Sequence, residues 1–181
     1  SRGLGDVYKR QELGYEIHCR MGDHIALRRL LLKAGAECGI REFGFNALLS
    51  LRLEKGFGIW SAEFTQGYTP GMTGMDRWID WEKEEFIGQA AAIKERDGNG
   101  PAQKLVMLEI DADDADASGY EPVWNNDSLV GFVTSGGYGH TLKKSLAMAL
   151  VNNDLANENQ KLKVHVVGVE KDATVIQASP Y

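Results

Sequence analysis

The amino-acid sequence predicts an α+β portion followed by an all-β module, a small antiparallel sandwich or barrel. Three observations carry this. Helix-like and strand-like periodicities alternate as far as Arg96. "DGNGP" at residues 97–101 is a dense cluster of turn formers. Beyond it the chain breaks into short β-rich runs separated by turn residues.

Taken in order, residues 1–11, "SRGLGDVYKRQ", have neither periodicity and no initiating methionine. They are expected to be a non-native or disordered leader, with the natural chain beginning upstream. Residues 12–98 form the α+β portion. "ELGYEIHCR" places Leu13, Tyr15 and Ile17 on one face and Glu12, Glu16 and His18 on the other, the alternation of a half-buried strand. "GDHIALRRLLLKAGAECG" predicts a helix with Asp23 as N-cap, an apolar face of Ile25, Leu27, Leu30, Leu31 and Ala34, and a stop at Gly39. "FNALLSLRLEKG" predicts a shorter helix with Phe45, Leu48, Leu49 and Leu53 inward, ending at Gly56. Arg52 lies one turn after Leu48 and Leu49 and so borders the apolar face.

"FGIWSAEFTQGYTPGMTGM" is rich in Gly, Thr and aromatics and predicts a long structured loop, a setting that often carries function. A short strand is expected around Trp78 and Ile79, then a helix from about Glu84 to Arg96. Residues 101–181 form the all-β module. Its runs are "QKLVMLEID", "PVWN", "SLVGFVTSGG", "SLAMALV", "QKLKVHVVG" and "ATVIQASPY". There is no internal repeat or low-complexity tract.

Composition bounds the function. The 181 residues, 43% hydrophobic and 25% charged, have the make-up of a soluble globular protein. No apolar run reaches the ~20 residues that span a bilayer, so a membrane role is not expected and the cytoplasm is the expected compartment. A net charge of −6 offers no basic field for nucleic acid. Cys19 and Cys38 lack CxxC spacing and read as two reduced thiols; no metal site is expected.

The order of "ELGYE", "SLRLEKGFGIW", "YTP", "EFIGQAA", "GFVTSGGYGHTLKKSLAMALV" and a terminal "PY" resembles the glycine-cleavage T-protein, or aminomethyltransferase, family over residues 12–181. "NALLSLRLEKGFGIW" and "YGHTLKKSLAMALV" are more narrowly similar to the T-protein-like C-terminal half of the dimethylglycine and sarcosine dehydrogenase or oxidase group. The resemblance implies that residues 12–98 are the C-terminal part of a folate-binding domain and residues 101–181 its barrel companion. It also implies tetrahydrofolate as the cofactor, with FAD in an N-terminal flavin domain outside this chain. The small molecules are then folate and an N-methyl amine, whose one-carbon unit passes to the folate N5 and N10.

A planar pterin is gripped by a carboxylate that accepts two N–H bonds, and its faces by aromatic rings. The family's strand glutamate corresponds to Glu16, flanked by Tyr15, and the alternation puts Glu16 on the polar face; a solvated strand carboxylate is the simpler alternative. Trp60 and Tyr68 are further cofactor-binding candidates by stacking, against a role as loop anchors, and Glu63 is a candidate polar contact, against a surface charge. T-proteins read "ARDSLRLE" in the helix, so Leu48 and Leu49 replace the ligand arginine and its aspartate. That replacement fits the dehydrogenase group and argues against an aminomethyl-lipoyl donor. Arg52 and Glu54 match only the general pattern, and Arg52 is expected to pair with a nearby carboxylate in a structural role. Nothing before Glu12 resembles the surroundings of the family's catalytic aspartate, so no catalytic residue is assigned and this chain alone is expected to be inactive. A free-standing aminomethyltransferase and a non-catalytic structural module are the alternatives.

Other features are set aside. Tyr138, Gly139 and His140 are read as a tight barrel turn. "DADDADASG" has Ala115 where a calcium loop needs a ligand, and reads as an acidic surface loop. "NDS" at Asn126 is a chance sequon. "TSGGYGH" is not a dinucleotide fingerprint, because a strand follows it.

Overall fold

In a computed structural model, residues 15–181 are described. The chain divides into two compact units between Phe45 and Asn46.

In the first unit, helix α1 spans His24–Ala34 and is followed by a 3-10 turn at Ala36–Cys38 that stops on Gly39 in the left-handed conformation (φ 70°). Asp23 stands at the N-cap position as expected, at the end of a 3-10 turn at Met21–Asp23, but its side chain makes no capping hydrogen bond. The expected strand over 12–20 appears, among the described residues, as a single bridge at Tyr15, with 16–20 irregular. Alternation specifies which side chains share a face, but a strand also needs a neighbour to satisfy its backbone groups. Leu13 and Glu12 lie outside the described residues. Cys19 and Cys38 are free, exposed thiols.

In the second unit the all-β module is a closed six-stranded antiparallel barrel, ordered β1-β4-β3-β2-β5-β6. Its strands are β1 (Gln103–Ile110), β2 (Pro122–Asn125), β3 (Ser128–Gly139), β4 (Lys144–Asn152), β5 (Lys161–Val166) and β6 (Val169–Ile176). Five follow predicted runs closely; β6 overlaps only the first four residues of "ATVIQASPY", beginning four residues earlier and leaving 177–181 outside the sheet. Closure leaves no open sheet edge. "NDS" opens the turn between β2 and β3, where Asn126 takes the left-handed conformation (φ 52°) that asparagine tolerates. Val106, Leu108, Val133, Ala149, Val164 and Val175 fill the interior.

Strand β4 is buried from Ser145 to Val151 without a break. The cause is that both its faces are covered. Ala147 and Ala149 face the lumen, while Leu146 and Met148 face outward and pack with Met107 against Leu53. Leu53 belongs to helix α2 (Phe45–Glu54) and is 1% exposed. Burying such a leucine stabilises by about 1.5–3 kcal/mol.

Helix α2 differs from its expected pattern. Phe45 is 69% and Leu48 36% exposed, and the buried residues are Arg52, Leu53 and Glu54. Two charges therefore join Leu53 in the buried set in place of Phe45 and Leu48, and each is satisfied by the barrel or by the loop that follows the helix. Arg52 donates from one terminal nitrogen to Glu63 (3.2 Å) and to the Phe57 carbonyl (3.2 Å), giving the pairing expected of it. Glu63 in turn accepts from Ser135 Oγ on β3 (2.5 Å) and from the Ile59 N–H (2.8 Å). Glu54 accepts from Thr141 N (2.7 Å), Leu142 N (2.8 Å) and Thr141 Oγ1 (2.9 Å) in the β3–β4 turn. Ser50 donates to the Tyr138 carbonyl (2.6 Å).

Glycines permit this approach. A Cβ on Gly139 would stand 2.9 Å from the Leu146 side chain and 3.1 Å from that of Glu54, so glycine there leaves room for both. Gly56, at φ 66°, lies against the C-terminal segment, where an added Cβ would meet the Ala178 carbonyl oxygen at 1.9 Å.

Between helix α2 and the barrel, helix α3 is a single turn at Pro70–Thr73, capped by the Thr69 hydroxyl. The short strand expected at Trp78 is a 3-10 turn, Asp76–Trp78. Helix α4 spans Gln89–Asp97, starting later than expected because Gly88 in the left-handed conformation separates it from the preceding residues. Among the described residues no helix is long and apolar enough to cross a membrane.

Two outcomes follow for the joint between α2 and the barrel. Burial pushes the Glu54 carboxyl upward, but the Leu142 and Thr141 donors more than offset this and hold it below the ordinary glutamate range. A lowered folded-state value means stabilisation that is complete above the unfolded value, about 4.3, and is lost as pH falls through the folded value. Urea midpoints are expected to fall more steeply below about pH 4.3 for the native chain than for Glu54→Gln, and Glu54→Ala is expected to lose about 2–4 kcal/mol at pH 7. For the ion pair, Arg52→Met is expected to cost about 3–5 kcal/mol, because it leaves Glu63 buried without its cation. The double variant Arg52→Met/Glu63→Gln is expected to recover part of that loss, which a double-mutant cycle in urea measures directly.

Candidate functional site

The five sequence-derived ligand candidates fall in both units. In the first unit, Tyr15 and Ile17 line a concavity of about 320 Å³ with Leu27, Leu31, Leu32 and Ile40. The alternation read from the sequence is thus retained without a ladder: Tyr15 and Ile17 share this wall. Glu16 is exposed, and its carboxylate lies 3.9 Å from His18 Nε2. Arg28, at the rim, is held by a two-pronged contact to Glu42 of 2.5 and 2.6 Å. The Arg28 hydrogen bond holds the Glu42 carboxyl below its ordinary range. Arg28 and Glu42 are therefore paired with each other, and Tyr15 presents a 63% exposed ring beside the exposed Glu16.

In the second unit, the loop between α2 and α3 carries Trp60, Glu63 and Tyr68. Trp60 is 76% exposed. Tyr68 is half-buried, and burial, with Tyr120 and the Glu63 carboxylate nearby, pushes its phenol above the ordinary value. It is neutral and a hydrogen-bond donor at pH 7. The structure thus brings Tyr68 and Glu63 into one neighbourhood and leaves Trp60 on the surface. Glu63 is 0% exposed with both oxygens engaged, one by Ser135 and one by Ile59 N and Arg52. Neither the surface charge nor the free ligand contact considered for it describes this carboxylate, which holds the loop and α2 to the barrel.

Burial pushes the Arg52 guanidinium down, and Glu63 opposes the shift; arginine's high intrinsic value keeps it charged. Its Nε is buried without a hydrogen-bond partner. Sequence reasoning did not identify Ser135 or Tyr120 in this cluster. Ser135 was hidden within "SLVGFVTSGG", read only as a strand run. A β-bulge between Val133 and Ser135 shifts the register there, which no alternation pattern reveals. Tyr120 takes the left-handed conformation (φ 71°), and its loop is pinned where the Glu121 carboxylate accepts from Ser118 N and Gly119 N, both at 2.8 Å.

Comparison with known proteins matches this architecture. The family model described as the glycine cleavage T-protein C-terminal barrel domain matches residues 103–181, and that of the GCVT N-terminal domain matches residues 10–83. Mitochondrial dimethylglycine dehydrogenase of Rattus norvegicus is 37% identical over 92% of this chain, and that of Homo sapiens is 37% identical over the same share. The aminomethyltransferase of Geobacillus sp. (strain WCH70) is 33% identical over 94% of the chain. The chain spans 19% of the length of the two dehydrogenases and 46% of that aminomethyltransferase. Among solved structures, glycine cleavage system aminomethyltransferase T from Bartonella henselae superposes with a TM-score of 0.83 at 25% identity, covering 96% of this chain and 48% of that one. With the barrel and the segment before it each matched by its own model, the chain belongs to the glycine-cleavage T-protein family.

Proposed function

We propose that this chain is the tetrahydrofolate-binding, C-terminal portion of an FAD-dependent N-methyl amine dehydrogenase or oxidase of the dimethylglycine or sarcosine type. The observation that carries the reading is the 37% identity to dimethylglycine dehydrogenases along 92% of the chain, against 33% to an aminomethyltransferase over a similar share. Leu48, where the T-protein resemblance calls for a ligand arginine, supports the same choice: it is an apolar residue at 36% exposure, with no charge to offer a carrier or ligand.

Two features support a pterin there: Glu16 is an exposed carboxylate, the group that accepts N–H bonds from a pterin edge, and the neighbouring Tyr15 offers an exposed ring. Tetrahydrofolate, when bound, supplies the nitrogens that take up the one-carbon unit. Glu16 would hold the pterin edge and fix its orientation, and Tyr15 would shield one face from water. Trp60 and Tyr68 remain proposed aromatic contacts of the second unit. FAD would belong to a flavin domain, and no residue of this chain is assigned to it. The cytoplasm is the compartment proposed for the whole protein.

Anaerobic calorimetric titration of tetrahydrofolate tests the reading. The native chain is expected to bind saturably and Glu16→Ala at least tenfold more weakly, about 1.4 kcal/mol. Trp60→Ala and Tyr68→Leu, measured one at a time, are expected to weaken binding several-fold. Absence of binding both by this chain and by a longer one that restores the length of the dehydrogenases would sink the folate reading and favour a structural module.

A further inference from the structure

One row of side chains at an end of the barrel is unlike the rest of its lumen. Register places Tyr138 opposite Ser145, Ser145 opposite Ile110, Ile110 opposite Ala173, and Ala173 opposite Leu162. Residues directly opposite across antiparallel strands point to the same side of the sheet. Ile110, Ala173 and Leu162 belong to the lumen core, so the row crosses β3, β4, β1, β6 and β5 on the lumen side. The next row inward, Leu108, Ala147 and Val175, is fully apolar and packed. All five residues of the outer row line a cleft of about 750 Å³. That volume lies within the range of small-molecule sites, and barrel mouths are among the places where such sites occur.

The cleft has a polar group with nothing to bond. Ser145 is 3% exposed, and its hydroxyl is buried with no hydrogen-bond partner. A buried hydroxyl left unpaired costs about 1–3 kcal/mol, and an alanine there would avoid it. The rest of the row is aliphatic apart from Tyr138. At the rim stand charges of both signs: Lys143, Lys144 and Lys161 on one hand, Glu109, Asp111, Asp113 and Asp172 on the other, with Lys144 paired to Glu109 at 2.6 Å. Lys161 is engaged by Thr174 Oγ1 at 2.8 Å. Lys143, at the tip of the β3–β4 turn, takes the left-handed conformation (φ 58°), with its backbone N–H donating to the Gly139 carbonyl at 2.7 Å. Its ammonium has no partner among the described residues.

We propose that this barrel mouth binds a small zwitterion, an apolar α-amino acid, with its carboxylate on Lys143 and the Ser145 hydroxyl, its ammonium on the aspartates, and its side chain over Ile110 and Leu162. The charges decide the class. A simple anion would meet more carboxylates than free ammonium groups, a simple cation would leave Lys143 and Ser145 unmet, and the described residues hold no cluster suited to a metal ion. The site involves none of the residues proposed for folate, so either can fail without the other.

The probe is L-leucine, titrated into the full chain and followed by backbone amide shifts of residues 138–145. Two half-ligands accompany it: 4-methylpentanoate, which lacks the ammonium, and 3-methylbutylamine, which lacks the carboxylate. Saturable binding of leucine is expected, with each half-ligand at least tenfold weaker. Lys143→Asn, which keeps a residue tolerant of the left-handed conformation, is expected to weaken leucine by about tenfold. Ser145→Ala is expected to weaken it several-fold while leaving the urea midpoint unchanged or raised. The proposal is overturned if leucine does not saturate, if 4-methylpentanoate binds as tightly as leucine, or if Ser145→Ala raises stability and leaves leucine binding untouched.

Discussion

The buried contact between Arg52 and Glu63 organises the second unit. Desolvating both groups is expensive, and a single pairing at 3.2 Å does not by itself offset that cost. What makes the pair tenable is that Glu63 also accepts from Ser135 on the barrel wall and from Ile59 in its own loop. One carboxylate therefore ties together a helix, a loop and a strand. With Glu54 gripping the β3–β4 turn, α2 is anchored at two separated points, and Leu53 is pressed between them onto Met107, Leu146 and Met148. Apolar contact supplies the area; the carboxylates supply the register.

This anchoring accounts for features that look unrelated along the chain. Gly139 leaves room for Leu146 and Glu54, and Gly56 for the Ala178 carbonyl. The C-terminal segment returns to the same place: Tyr181 N–H donates to the Glu54 carbonyl at 3.2 Å, and Lys55 lies 4.6 Å from the centre of the Tyr181 ring. The outward face of β4 is buried only because α2 covers it. Hence "LAMALV" is continuously apolar in a sheet type that more often alternates.

Most of the barrel was readable strand by strand, because turn residues such as Asn126 and Gly168 punctuate its runs, whereas the pairings β1–β4, β1–β6 and β2–β5 join runs distant in sequence that no local pattern reveals. Arg52's pairing was readable too, from an arginine bordering leucines. The strand expected around Tyr15 was not borne out, because a period of two specifies faces and cannot specify a neighbour. The inward face of α2 was borne out at Leu53 but not at Phe45 or Leu48. Hydrophobicity pointed to Phe45 and Leu48, whereas the helix buries Arg52 and Glu54 at its C-terminal end, where hydrogen-bond donors await them. Trp78 and Ile79 looked like a strand by residue type, yet local geometry around Asp76 closes a 3-10 turn.

Glu16 and Glu63 show most clearly what a sequence can and cannot say about a site. Both are glutamates beside aromatic residues, in segments that the T-protein resemblance places near folate. Their chemistry is separated by burial and by donors. Glu63 is enclosed, with each oxygen already accepting from the protein, so a ligand N–H could reach it only by displacing Ser135, Ile59 or Arg52 and releasing the joint. Glu16 is exposed, with its carboxylate 3.9 Å from His18 Nε2. A carboxylate that holds a fold together is set apart from a surface one by what it costs to displace its donors. That cost is set by residues as distant as Ser135, 72 positions along the chain from Glu63.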